Sequence, residues 1–453
     1  MKVVHVAYGF HPDPVGGTEV YVESLARHMV QRSAAVVISA PAERNSRYTY
    51  KGLSVQRFAA SSKVTDLGDL YGEGDARACQ EFANILAEEK PDIVHLHAFT
   101  AGVSLRLAQA VKRSGTPMVF TYHTPAVSCP RGTLRRWGRE ICDGQLNRHP
   151  CAGCALHSRG LSKGSSALLS HIPAAAGRLV GRAGWKGKLP TVLRMTELME
   201  RHHSAFYALL NEADHVVALC EWAKELLVRN GLSSDKITLS RQGLPYTTAG
   251  HAESINFRPA DPRPLRVAYL GRMDPAKGPD TLIHALLALP KAPIVLDLYG
   301  ITQDASQTKF LRGLQAMAAR DPRITFLAKV PSSETVGLLR TYDVLAVPSR
   351  GLETGPLVVL EAFAAGIPVL GSNLGGIAEL VEPEVNGLLV NPEALEEWQE
   401  GLVKLAADRK LLQKLRAGIR RPRSMDQVAD EMMELYRSLR PASRTHHGAF
   451  SLA

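Results

Sequence analysis

Short apolar, β-branched runs alternate with segments of helical periodicity along most of this chain, and the alternation stops and restarts once. Strands are predicted at residues 3–8, 35–39, 92–97, 118–123 and 215–219, with amphipathic helices at 18–31 and 103–114. Runs that are apolar on both faces and spaced by helices imply a parallel sheet covered on both sides. The pattern stalls at 256–264, where Pro259, Pro262 and Pro264 exclude helix interior and central strand alike. It resumes with strands at 266–270, 294–299, 324–327, 344–347 and 368–371, and a helix from Pro279. The expected fold is α/β: two Rossmann-like parallel-sheet domains, 1–255 and 264–440, facing each other across a cleft. The last helix is expected to pack back on the first domain, and 441–453, which lacks periodicity, to form a disordered tail. A length of 453 residues suits two or three globular units.

Composition narrows the class. At 45% hydrophobic and 22% charged residues, global disorder is excluded. The most apolar long stretch, 354–371, is broken by Glu361, Gly366 and Pro368 and cannot span a membrane. The first nine residues are too short in their apolar part for a signal peptide, so a cytoplasmic protein is expected. The net charge of +10 is uneven. Residues 98–196 carry 15 Lys or Arg against only Glu140 and Asp143, which leaves the remainder slightly acidic. An anionic surface or substrate near that segment is the simplest reading.

In open α/β sheets, ligands sit beyond the carboxyl ends of the strands. The loop after 266–270 reads Gly271-Arg272-Met273-Asp274-Pro275-Ala276-Lys277-Gly278. One Arg and one Lys ahead of a helix start suit a phosphate or diphosphate, although an ordinary basic loop has the same composition. After 344–347, Glu353 lies in a loop and Glu361 about one turn inside a helix. The helix start can offer N–H groups from Gly355 and Leu357, while Pro356 offers none. Glu361 sits in an apolar run, where burial costs on the order of several kcal/mol unless the carboxylate is paired or bonded to hydroxyls. A structural Glu bonded to nearby backbone is the alternative.

The surrounding residues resemble glycosyltransferase family 4, the large retaining group with the GT-B fold. The likeness lies in Glu353-x7-Glu361 followed by Ala362-Phe363-Ala364-Ala365-Gly366-Ile367-Pro368-Val369, then Gly375-Gly376, Glu379 and Asn386-Gly387. It extends upstream to Gly271-Arg272 with Lys277-Gly278, and into the first half through Gly16-Gly17, His95-Leu96-His97 and Tyr122-His123-Thr124. The resemblance implies a hexosyltransferase. Arg272 and Lys277 would hold the diphosphate of a nucleotide-sugar, and Glu361 would accept from the ribose hydroxyls. Glu353 would orient the donor sugar, with Gly355, Pro356 and Leu357 lining its pocket. Gly16 and Gly17 would let backbone approach the phosphates. His97 would project into the cleft as a catalytic or sugar-positioning residue, with His123 beside it on the acceptor side. Thr354 departs from the family, which often has an aromatic residue there, and leaves sugar specificity open. No catalytic metal is expected, because Arg272 and Lys277 supply the charge that steadies the leaving phosphate.

Cys129, Cys142, Cys151 and Cys154 fall within 26 residues. Their spacing suits a four-thiolate structural zinc, with His149 and His157 as substitutes; iron–sulfur and free thiols are the alternatives. They lie in a Gly-, Ser- and Arg-rich insertion at about 125–192, expected to be loose without a metal. From Gly144 to Thr196 there is no acidic residue. This suggests peripheral binding to an anionic membrane, on the inner face of the cell membrane, and a glycan or polyprenyl-diphosphate-linked acceptor in cell-surface polysaccharide or glycolipid synthesis. Rival readings are another GT-B enzyme, an epimerase or a phosphorylase, and a basic nucleic-acid binder. The last lacks clustered aromatics for base stacking, so no nucleic-acid partner is expected.

Overall fold

The computed structural model describes residues 1–61, 64, 66–245 and 263–440. Most of the proline-rich joint and all of the expected tail, 441–453, lie outside the described residues.

The first sheet is built from β1 (Lys2–Val6), β2 (Ala35–Ala42), β3 (Ser46–Tyr50), β4 (Leu53–Ala59), β5 (Ile93–Leu96) and β6 (Met118–Tyr122). A separate two-stranded hairpin follows, β7 (Arg135–Arg136) with β8 (Glu140–Ile141), and the sheet then resumes with β9 (His215–Ala218) and β10 (Ile237–Leu239). Its order is β10-β9-β6-β5-β1-β2-β4-β3, parallel throughout except where β3 runs antiparallel to β4. The central strands are buried along their length, as the uniformly apolar β1, β5 and β6 require when helices cover both faces.

The second sheet comprises β11 (Leu265–Arg272), β12 (Ile294–Ile301), β13 (Ile324–Leu327), β14 (Val344–Val347), β15 (Val369–Ser372) and β16 (Gly387–Val390). These six are all parallel, in the order β13-β12-β11-β14-β15-β16. Counted from its own first strand, each sheet contains the 3-2-1-4-5-6 order of a dinucleotide-type fold. The order reverses between β1 and β5 in the first domain and between β11 and β14 in the second, so a crevice is expected beyond each pair.

Two features tie the domains together. The helix Met425–Leu439 opens with a Ser424–Gln427 capping box. It buries Met425, Val428, Ala429, Met432, Met433 and Tyr436 in one cluster with Val3, Tyr21, Leu25 and Met29 of the first domain. Arg32 fixes it from outside through Asp430 at 2.6 Å and Asp426 at 3.3 Å. The loops on either side of the cleft also meet directly, as described below.

The segment expected to be loose is a helical subdomain. Helices Arg148–His157, Lys163–Leu169 and Ala174–Arg182 precede Lys188–Glu212, a helix of 25 residues. Ala152, Ala155, Leu156, Met195, Leu198 and Met199 form a small core with Tyr71 of the first domain, while Phe206, Leu209 and Leu210 join that domain's main core. The expectation of a loose Gly-rich insertion ending near 192 is therefore corrected. Its last helix runs to Glu212 and roots the segment in the sheet, because apolar residues recur on one face along its length.

Candidate active site

Beyond the reversal point of the second sheet, β11 ends at Arg272, and a 3-10 turn, Pro275–Lys277, leads into the helix Pro279–Leu287. Gly278 makes that connection with φ +67°, and a Cβ there would lie 2.1 Å from the carbonyl of Pro348, so only glycine fits. The turn brings Lys277 Nζ to 2.6 Å from Glu353 Oε1. Ser349 Oγ donates to the same oxygen. Burial pushes the Glu353 carboxyl up, but Lys277, Ser349 and Arg272 together outweigh it and hold the group below its ordinary range. It is thus a carboxylate with one oxygen, Oε2, left for other donors. Among the described residues, the Arg272 guanidinium has one hydrogen bond, a long 3.5 Å contact to Gln303.

Glu361 lies in the helix Leu357–Ala365, 6% exposed. No hydrogen bond or ion pair to its carboxylate is present among the described residues, and burial pushes it up to about 7. That helix starts after Pro356 with no side-chain cap, and while Val359 N–H bonds to the Pro356 carbonyl at 3.1 Å, those of Leu357 and Val358 are left to whatever occupies the crevice. Gly355, at φ +143°, precedes it. Gly376 packs against the loop so closely that a Cβ would sit 2.6 Å from the carbonyl of Glu353, the acceptor of its own N–H. Arg272, Lys277, Glu353, Gly355 and Pro356, with Leu357 and Glu361 of the helix that follows, thus lie in neighbouring connections at the carboxyl ends of β11 and β14.

On the first domain, Gly16 caps the helix Gly17–Gln31 and donates its N–H to Glu19 Oε2 at 2.8 Å. A Cβ at Gly17 would meet nothing within 4 Å, so no protein contact demands glycine there.

His97 does not project into the cleft; the sequence-based position is corrected. It is 1% exposed. Its Nε2 lies 2.9 Å from His5 Nδ1, and its Nδ1 lies 2.9 Å from His123 Nε2. His95 completes the group, bonded at 2.5 Å to Tyr436 and at 2.6 Å to Thr121. One proton per neutral ring satisfies each of these ring-to-ring bonds, and burial keeps the rings neutral. It pushes His5 and His123 down to about 3, and takes His95 and His97 well below the usual range, with neighbouring rings adding to the effect. The ligating nitrogens of His5, His95 and His97 all lie within 4.8 Å of one another. His5, His97 and His123 bond in series, while His95 spends both nitrogens on Tyr436 and Thr121 with its ring 4.0 Å from that of His97, so the group reads as a hydrogen-bonded ladder with His95 packed beside it. His123 is its end nearest the second domain, with Nδ1 buried and unpartnered.

The two domains meet around Glu353. Thr354 Oγ1 donates to the carbonyl of His123 at 2.6 Å, and Trp222 Nε1 donates to the carbonyl of Glu353 at 2.8 Å. Glu379 accepts from the backbone N–H groups of Glu221 and Trp222, at 2.9 and 3.0 Å, and from Arg241 at 2.6 Å. It therefore caps the helix Glu221–Arg229 from the other domain. Sequence reasoning missed Trp222 and Arg241. Cys220, in the extended N-cap position after β9, was the only local signal that a helix there lacked its own cap.

Comparison with known proteins now identifies the fold and family. Residues 16–243 match the profile of the Glycosyl transferase 4-like domain, and residues 252–421 that of Glycosyl transferases group 1. The chain belongs to glycosyltransferase family 4. Within this family it is 33% identical over 221 residues to a D-inositol 3-phosphate glycosyltransferase of Nocardia farcinica. That match covers 46% of the chain and 48% of the relative, so the chain spans about half the length of this curated relative. Two solved structures show the same GT-B architecture. Sucrose-phosphate synthase from Thermosynechococcus elongatus superposes with TM-score 0.64 at 18% identity, covering 97% of this chain and 98% of that one. HepE of Anabaena, in complex with UDP and glucose, gives TM-score 0.61 at 16% identity, covering 97% and 100%. The chain has the GT-B fold.

Proposed function

We propose that this glycosyltransferase takes a sugar from a nucleoside-diphosphate sugar and transfers it, with retention of anomeric configuration, to a glycan or lipid-linked acceptor at an anionic membrane surface. The observation that carries the donor part is the Lys277–Glu353 pair beside Arg272, under a helix N-terminus with no side-chain cap. A lysine ammonium has three donors, so the bond to Glu353 leaves two for a phosphate. Glu353, kept ionised, offers Oε2 to sugar hydroxyls. Glu361, buried without a partner, suits the ribose hydroxyls, which would satisfy it. HepE, which binds UDP and glucose, supports a nucleotide-sugar by its likeness in fold.

Breaking the sugar–phosphate bond puts negative charge on the departing diphosphate; Arg272, Lys277 and the Leu357 end of the helix would stabilise it, which supports a transfer that needs no divalent ion. Of the two imidazoles on the opposite side of the crevice that the sequence suggested, His97 is enclosed in the ladder and burial makes His123 a weak base. That favours attack from the leaving-group side, with the departing phosphate taking the acceptor's proton, and hence retention.

The acceptor reading rests on the first domain. Leu168, Leu179, Trp185 and Leu189 are 63 to 75% exposed and interleave with Lys163, Arg178, Arg182, Lys186 and Lys188. This suits insertion into an anionic headgroup layer. No helix among the described residues is long and apolar enough to cross a membrane. The likeness to inositol-phosphate glycosyltransferases supports an acceptor that itself carries phosphate.

The test is a panel of nucleoside-diphosphate sugars with no added divalent ion, following sugar release and protection against heat. One donor is expected to stabilise the protein and to give a product of the donor's own anomeric configuration. No stabilisation by any donor would overturn the donor site, an inverted product the retention, and equal sedimentation with anionic and zwitterionic vesicles the membrane surface.

A further inference from the structure

The four clustered cysteines are the largest group of reactive side chains that the transferase chemistry leaves unused. Cys129 opens a turn, Cys129-Pro130-Arg131-Gly132, closed by Gly132 N–H on the Cys129 carbonyl at 2.7 Å. The hairpin β7–β8 follows and delivers Cys142, whose N–H bonds to the carbonyl of Leu134 at 2.8 Å. Cys151 and Cys154 then project from one face of the helix Arg148–His157, one turn apart. The result is a turn, a hairpin and a helix folded around four thiols.

The hairpin draws the thiols together: Cys154 Sγ lies 3.8 Å from the carbonyl of Arg135 on β7, beside the Leu134 carbonyl that holds Cys142, and Cys129 and Cys142 pack against one cluster with Leu134. Cys154 Sγ already accepts the Trp137 N–H at 3.4 Å, as metal-bound thiolates do. His149 and His157 each donate Nδ1–H to a backbone carbonyl, of Ser170 and of Leu161, which leaves Nε2 as the nitrogen either could offer in place of a thiolate. No three of the sulfurs lie within 4.8 Å of one another. Tetrahedral thiolates around zinc sit roughly 3.8 Å apart, from a Zn–S bond of about 2.3 Å, so closure requires rotation of the side chains.

The loop between Cys129 and Cys142 also reaches the other domain. Arg135 pairs with Glu393 at 2.7 Å. A Cβ at Gly351 would lie 3.9 Å from Thr133. Leu352, the residue before Glu353, packs into the cluster that holds Leu134, Cys129 and Cys142.

We propose that Cys129, Cys142, Cys151 and Cys154 bind one zinc ion, and that the ion stiffens the 129–142 loop as a strut holding the Glu353 loop in place. The ion site stands independently of the transferase reading; only the strut's effect on Glu353 rests on it.

The full chain, purified without chelator, is expected to carry about one zinc per chain. Cys151→Ser and Cys154→Ser should lose it, and Cys79→Ser should keep it. Where the serine variants fail to fold, wild-type protein exchanged into cobalt(II) still reads the site, through thiolate-to-cobalt charge-transfer absorption. Chelation should raise amide hydrogen exchange across 129–157 and again at 351–355. Less than a tenth of an equivalent of zinc in folded protein, an iron chromophore, or an intact mass short by the hydrogens of a disulfide would each overturn the ion site. Unchanged exchange at 351–355 after chelation would overturn the strut.

Discussion

The two sheets share one topology, and the crevice beyond each order-reversal point is filled in opposite ways. In the first domain the site is closed by imidazoles that bond to one another and are buried and neutral. In the second it is lined by Arg272, Lys277, an ionised Glu353, an unpartnered Glu361 and an uncapped helix start. Topology fixes where a crevice forms, and the side chains decide whether it is packed as core or kept available for a ligand.

The sharpest way to break that contrast is to remove charge from the open site. Lys277→Met is expected to lower kcat/KM by about 10²–10³-fold, ~2.7–4 kcal/mol of transition-state stabilisation, in protein shown by circular dichroism to be folded. A loss below tenfold would mean that the ammonium serves Glu353 alone. In the closed site, His97→Phe should instead cost stability. It strands His5 Nδ1 and His123 Nε2 without partners, at about 1–3 kcal/mol by urea unfolding. The fall in transfer rate should then follow the fall in folded protein. The ladder also makes the protein acid-sensitive. The unfolded chain binds protons on these histidines below about pH 6.5, whereas native His5 and His123 bind them only near 3. Stability is therefore lost as pH falls through that window, and a flat Tm between pH 6.5 and 4 would contradict a neutral buried ladder.

Glu361 gives a smaller effect of opposite sign. Its native carboxyl holds a proton up to about 7 against an ordinary 4.5, so it costs stability as pH rises from about 4.5 to 7. Glu361→Gln should raise stability at pH 8 by about 1–2 kcal/mol while weakening nucleotide binding, measurable as a Tm gain without ligand and a smaller ligand-induced gain. Least costly is Glu379→Gln, which should lose about 0.5–2 kcal/mol of cross-domain capping and raise KM for the donor more than it lowers kcat.

Much of this was legible beforehand, for identifiable reasons. Strands 324–327 and 344–347 fall where their short apolar runs, bounded by turns, put them. The hairpin β3–β4 was not read, because Ser46-Arg47-Tyr48-Thr49-Tyr50 is a polar edge strand whose alternation is weak. The contribution of Lys188–Glu212 to the core was hidden by the glycines before it and by Pro190 in its first turn, a position helices tolerate. Arg272, Lys277 and Glu353 were readable because loops after strands are where α/β folds place ligands. The enclosure of His97 was not, since His95-Leu96-His97 says nothing of the strands on either side. His5 lies in register with His95 on the neighbouring strand, a pairing visible only once the strand order is known.

The return of the helix Met425–Leu439 to the first domain has a consequence for synthesis. A nascent chain emerges amino end first, yet the face bearing Val3, Tyr21 and Met29 stays uncovered until the helix Met425–Leu439 has left the ribosome. Each half expressed alone would carry an apolar scar, and the amino-terminal half should reach the native state only when the closing helix is supplied, in cis or as a separate fragment.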